Sequence, residues 1–142
     1  MSDDVKTDQP IICVDLDGTL AEYTEWKGHH HVGEPINDAV MLLELLKDKG
    51  WKIVISTCRN NGMNGETDEE LINITEHLHF WLRTHKIPYD YVATREMGKP
   101  FAHVYLDDRA FRWENNIGKA VNFCGQLHAQ LVKSKESTKH EG

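Results

Sequence analysis

No uninterrupted apolar run in this sequence approaches the length that crosses a bilayer, which sets aside a helical membrane protein. Cysteine is scarce. Cys13, Cys58 and Cys124 are an odd number at wide spacing without a CxxC pair, so neither a disulfide framework nor a thiolate zinc site is built from them. Positive charge is also short: 16 Lys and Arg face 23 Asp and Glu, and the formal net charge of -7 opposes broad attraction to nucleic acid or an anionic membrane. Any anion this chain binds must therefore be drawn by a local site. There is no internal repeat. The opening MSDDVKTDQP is polar and acidic, unlike a signal or transit peptide, so the expected setting is the reduced cytoplasm and the expected state a soluble protein with structural thiols.

What is present suffices for one core. The 142 residues are 39% hydrophobic, enough for a single domain over residues 1–133, with a polar end from 134 to 142 that lacks apolar anchors and is expected to be disordered. Short apolar runs alternate with amphipathic segments, the pattern of βαβ units. Strands are expected at 11–14, 52–57, 89–93 and 103–106. A first helix should start near Asn37 or Asp38, capped by one of them, and end at Gly50 with Ala39, Val40, Leu42, Leu43, Leu45 and Leu46 inward. A second is expected over 68–85 with Leu71, Ile74, Leu78, Trp81 and Leu82 inward, and a third over 118–132 packing Ala120, Val121, Leu127 and Leu131. The fold class is therefore α/β: a Rossmann-like three-layer sandwich around a mainly parallel sheet of four or five strands.

The run Ile11-Ile12-Cys13-Val14-Asp15-Leu16-Asp17-Gly18-Thr19-Leu20 drives a buried strand into two carboxylates, a glycine and a hydroxyl. A later strand runs into Asp107 and Asp108, and another ends in Ser56-Thr57. Open α/β sheets place ligands beyond the carboxyl ends of their strands, so these groups are expected around one crevice. Two like charges 4 Å apart repel by about 4 kcal/mol at an effective dielectric near 20, which a divalent cation would relieve. Oxygen ligands without Cys or His beside them favour magnesium, and magnesium that keeps several waters commonly works with phosphate. Phosphoryl chemistry is the leading inference.

DLDGTL, ISTCR, GKP and YLDDR, in that order between residues 11 and 113, resemble the four motifs of the haloacid dehalogenase superfamily of phosphohydrolases. The resemblance implies Mg2+ as cofactor and Asp15 as a nucleophile that carries a transient acyl phosphate. Asp17 would be the general acid for the leaving oxygen and then the base for water. Thr57 matches the hydroxyl that donates to a phosphoryl oxygen, with Ser56 the competing assignment because strand alternation lets one of the two face the site. Lys99 matches the lysine that holds the Asp15 carboxylate and the phosphoryl dianion together. Asp108, with Asp107 as its rival, matches the metal ligand, joined by the Asp15 carboxylate and the Asp17 backbone carbonyl. Amides around Leu16 to Gly18 would bind phosphoryl oxygens. Arg59 serves phosphate or substrate, or else a salt bridge to Glu66, Asp107 or Asp108.

Neither gap between motifs has room for a cap domain, since 20–37 fits only a loop and 59–99 is filled by one helix and one strand. The loop at about 21–35 is then a flap, in which Trp26, Tyr23 and Lys27 could meet a base or sugar, or Trp26 could pack against the rim. Adjacent histidines cannot all converge on one ion, so His30 within His29-His30-His31 reads as a substrate contact or a solvent-exposed group and not as a zinc ligand. Cys58, Phe111 and Trp113 read as packing. The expected activity is hydrolysis of a small phosphomonoester such as a nucleotide or sugar phosphate, without a membrane partner, under cover of the flap or of a homo-oligomer partner. Two alternatives stand beside it. One is a polynucleotide end phosphatase, suggested by likeness to the phosphatase half of polynucleotide kinase but opposed by the negative charge; the other is a non-catalytic phosphate-binding scaffold.

Overall fold

β1 (Ile11–Asp15) is the strand around which the sheet is built, because its continuous apolar run suits a position flanked on both edges. The computed structural model describes residues 9–141; residues 1–8, on which most of the reading of the opening segment rests, and Gly142 lie outside the described residues. Two units divide the chain, Met1–Asp108 and Arg109–Gly142.

In the first unit β1 is followed by α1 (Asn37–Asp48), β2 (Lys52–Ser56), α2 (Asp68–Thr84), β3 (Tyr91–Val92), a 3-10 turn (Arg95–Met97) and β4 (Val104–Leu106). The four strands are all parallel in the order β3-β2-β1-β4, an α/β fold of the Rossmann-like kind with no large cap. Register brings the strand ends level: Asp15 pairs with Ser56, and Val14 with both Ile55 and Leu106. The carboxyl ends of β1 and β2, and the Asp107-Asp108 pair just past β4, therefore come to one edge of the sheet.

Alternation divides the faces. Ile12, Val14, Ile53, Ile55 and Val92 join Ala39 and Leu43 of α1 and Leu71, Ile74, Leu78, Trp81 and Leu82 of α2 in one core. Each fully buried aliphatic side chain there contributes about 1.5–3 kcal/mol. Cys13 and Asp15 take the opposite orientation along β1. Burial pushes the Cys13 thiol up, as suits a structural group.

All five apolar residues expected inward on α2 are buried, and a capping box between Thr67 and Glu70 starts the helix. At α1 the cap position falls on Ile36 without a side-chain cap, so neither Asn37 nor Asp38 caps it. The Ile36 amide instead donates to the Leu20 carbonyl at 2.8 Å, where the chain enters from the flap. Leu45, expected inward, is 56% exposed, because α1 leans on the sheet through Ala39 and Leu43. β3 is two residues long where five were expected, yet the ladder is extended by Asp90 and Ala93 amides donating to the Ile53 and Ile55 carbonyls.

In the second unit α3 (Ile117–Glu141) runs past the expected end at Val132 into the segment read as tail, whose Lys and Glu residues are good helix formers. Its Val121, Leu127 and Leu131, expected to pack, are 66%, 46% and 56% exposed, and Trp113 is also exposed. Periodicity gave the helix its apolar side, but the unit has no second helix or strand among the described residues against which to bury it. Phe111 does pack, 5.2 Å from the Phe123 ring. No helix is long and apolar enough to cross a membrane among the described residues.

Candidate functional site

One carboxylate oxygen from each of Asp15, Asp107 and Asp108 lies within 4.8 Å of the others, at the ends of β1 and β4. Asp15 is pushed up to about 6, first by burial and then by the charge of Asp107; the Leu16 amide opposes this, while Asp108 and Asp17 add to it. Gly18 is required beside this cluster for two reasons. Its φ is +85°, and a Cβ there would collide with the Asp108 carboxylate. The Thr19 hydroxyl accepts the Asp108 amide at 3.1 Å and so ties the exit of β1 to the end of β4. Three oxygen donors with no nitrogen or sulfur among them suit a hard divalent cation.

Asp17 does not join that cluster. Its two carboxylate oxygens accept from Nε and Nη2 of Arg59, each at 2.8 Å. Arg59 is 4% exposed, and its other N–H groups donate to backbone carbonyls of the flap: His31 at 2.8 Å, His29 at 3.0 Å and Gly28 at 3.4 Å. All five donors of the guanidinium are thus matched, as burial demands. Arg59 is therefore not offered to phosphate, Glu66, Asp107 or Asp108, contrary to expectation. The Trp26 ring lies 5.0 Å from the guanidinium, so the tryptophan packs on this clamp while staying half exposed.

The flap is closed at its base by the Glu22 amide on the Glu34 carbonyl at 2.8 Å. Gly33 is needed at this crossing, since a Cβ would strike the Glu22 carbonyl. His29 lies 3.5 Å from Glu66, and its Nδ1 is buried without a partner. His30 stacks edge-on against His77 of α2 at 5.1 Å and lines a hollow with Phe80 and Trp81, so it is not brought to Asp15.

A cleft of about 390 Å³ opens at Asp15, lined by Ser56, Thr57, Cys58, Arg95 and Lys99 among others. Both Ser56 and Thr57 line it. β2 ends at Ser56, so strand alternation no longer governs Thr57. The Thr57 hydroxyl oxygen accepts the Arg59 amide at 3.2 Å, which leaves its hydrogen to donate, whereas Ser56 is hydrogen-bonded with the Cys13 thiol. Cys58, read as packing, is exposed in this cleft. Lys99 is exposed at the mouth with its ammonium 4.9 Å from the Tyr105 ring centroid. The turn after β1 uses its own amides: Gly18 donates to the Ala21 carbonyl at 2.8 Å, and the Leu16 amide faces the Asp15 carboxylate. Those two groups are occupied in place of a phosphoryl oxygen, and the Leu16 side chain is core.

Sequence reasoning missed Arg95 and Asn60 at this cleft. Arg95 follows β3 on a 3-10 turn with no motif to mark it. Asn60 is buried, with its amide donating to the Thr75 hydroxyl at 3.0 Å and the Ala93 carbonyl at 3.1 Å. Thr19 lay inside the DLDGTL motif but was given no role.

No described family and no curated protein matches the sequence. Among solved structures, the chain is similar to a conserved protein from Bacteroides thetaiotaomicron, with 24% identity over 72% of this chain and 78% of that one and a TM-score of 0.48. It is also similar to a chain of the Pnkp1/Rnl/Hen1 complex, with 20% identity over 81% of this chain and 34% of that one and a TM-score of 0.42. A crystal structure of a Vibrio cholerae protein shares 33% identity over 73% of this chain and 84% of that one, with a TM-score of 0.53. At that identity and coverage, the chain belongs to the same family as the Vibrio cholerae protein.

Proposed function

We propose that this chain is a capless member of the haloacid dehalogenase superfamily, a magnesium-dependent hydrolase of small phosphomonoesters that works through a phosphoaspartate on Asp15. The observation that carries this reading is the convergence of Asp15 with Asp107 and Asp108 at the mouth of a cleft that also holds Thr57 and Lys99. Asp15, Asp108 and Asp107, with the Asp17 backbone carbonyl, are the groups that would hold Mg2+. Bound there, the ion supplies charge neutralisation for the carboxylates and for the phosphoryl oxygens.

The chain's own residues account for the rest. An Asp15 oxygen attacks phosphorus in line with the ester bond, and as that bond breaks the leaving alcohol takes the proton that Asp17 has picked up from solvent beforehand. Asp17 then takes a proton from water, whose oxygen attacks the phosphorus of the acyl phosphate, freeing phosphate and restoring Asp15. Arg59 holds the Asp17 carboxylate by one lone pair on each oxygen, so each keeps another for the proton in transit. Thr57 donates its hydroxyl hydrogen to a phosphoryl oxygen. Lys99 leaves Tyr105 and turns its charge onto the dianion when substrate enters.

The test is release of phosphate from p-nitrophenyl phosphate. Activity should appear with Mg2+, stop with EDTA, and return when Mg2+ exceeds the chelator. Failure to release phosphate with any divalent cation would remove this reading.

A further inference from the structure

Beyond Arg95 the Asp15 cleft continues. Asn60, Thr94 and Arg95 line both that cleft and a second hollow of about 480 Å³, floored by Leu71 and Ile72 of α2. Three shared residues set the two spaces side by side with Arg95 between them, and we take them together as one trough. The charge changes sign along it. Arg95 and Lys99 line the cleft together with Asp15, whereas the lining of the hollow has Asp68, Glu76 and Glu96 with Arg95 as its one lysine or arginine. Arg95 is already engaged on that side, 2.8 Å from Asp68 and 3.4 Å from Glu96.

We propose that this hollow is the leaving-group subsite, and that it takes a nucleoside-sized, uncharged alcohol, so that the substrate's only anionic group is the phosphate removed. The inference rests on the phosphatase reading and narrows it. The volume lies within the range of small-ligand sites, roughly 300–1,000 Å³. An apolar floor edged by Asn60, Thr75 and His79 suits a flat amphipathic body. A second phosphate on that body would meet three carboxylates whose one basic neighbour is taken, and a polynucleotide would bring a further charge with every residue. The trough thus separates the small-molecule substrate from the polynucleotide end.

The experiment compares kcat/KM for a nucleoside 5′-monophosphate, the 3′,5′-bisphosphate of the same nucleoside and a 5′-phosphorylated dinucleotide, with p-nitrophenyl phosphate as reference. The monophosphate is expected to exceed both others by about tenfold or more, a modest difference for charge-based exclusion. In the double variant Glu76→Gln with Glu96→Gln, both side chains being exposed at the rim, this preference should shrink to about threefold or less. Ile72→Trp, which fills the floor from an exposed position, should raise KM for the monophosphate by about tenfold, while the inhibition constant of inorganic phosphate stays put. A bisphosphate or dinucleotide cleaved as well as the monophosphate, or a preference unchanged in the double variant, overturns the subsite while leaving the phosphatase reading intact. An enzyme inert towards p-nitrophenyl phosphate overturns both.

Discussion

Asp15 and Asp17 leave the same strand two residues apart and enter opposite surroundings. Asp15 stands partly buried among Asp107 and Asp108, and its carboxyl is pushed up to about 6, first by burial and then by Asp107. Asp17 is gripped on both oxygens by a buried arginine that also holds three flap carbonyls. The turn in which the Leu16 carbonyl accepts the Leu20 and Ala21 amides, both at 2.9 Å, is what parts them. One environment crowds a carboxylate among like charges; the other fixes a carboxylate in place with a paired guanidinium. A single residue, Arg59, thereby serves two tasks, holding the Asp17 carboxylate and anchoring the flap.

Asp15→Asn should have the largest effect. Removing the attacking oxygen is expected to lower kcat by on the order of 10⁴-fold or more, measured as phosphate release. A loss of less than about tenfold would erase the contrast, because the two aspartates would then not differ in role. Arg59→Lys comes next. Lysine keeps the charge but cannot fork Asp17 while reaching the carbonyls of Gly28, His29 and His31, so kcat should fall by on the order of 10²-fold. Hydrogen exchange of the His31 amide, which donates to the Gly28 carbonyl at 3.2 Å, should quicken in parallel. A variant that loses neither activity nor exchange protection would show that the clamp positions nothing.

This contrast was only half legible in the sequence. The Asp15 side could be read because strand ends in a parallel sheet come to one edge, so acids placed after apolar runs must meet there. The inward residues of α2 were legible for a similar reason, since periodicity states directly which positions share a face. The Asp17 side was hidden. Its partner is 42 residues away, and Arg59's other acceptors are backbone carbonyls, which carry no sequence signal. The same blindness covers the Gly18 amide, spent within its own turn, whereas His30 is exposed beside His77, as one of its two readings had it. Ser56 and Thr57 were set against each other by a rule that stops where β2 stops. On α3, periodicity marked an apolar side but not what would cover it.

Lys99→Ala should cost less than the Asp15 change and about as much as the Arg59 change. The ammonium lies over Tyr105 and makes no ion pair with Asp15 among the described residues, so its charge acts only once phosphate arrives. A loss of about 10²-fold in kcat/KM is expected, and one below about tenfold would mean that the Asp15 side relies on its metal site alone.

The smallest effect is on stability, and it reads the Asp15 environment without any turnover. A folded-state value near 6 against the ordinary 3.8 means that the folded protein binds this proton more tightly than the unfolded chain. Its contribution to stability is therefore fully present below pH 3.8, declines as the pH rises, and is lost above about 6. In EDTA, Asp15→Asn removes that loss, so the variant should melt a few degrees above the wild type at neutral pH and show little advantage near pH 4. Added Mg2+ should raise the melting temperature of the wild type more than that of the variant, because the cation stabilises the folded state through the carboxylates it binds. An advantage equal at both pH values would point to packing at position 15, and the opposition between the two aspartates would then rest on Arg59 alone.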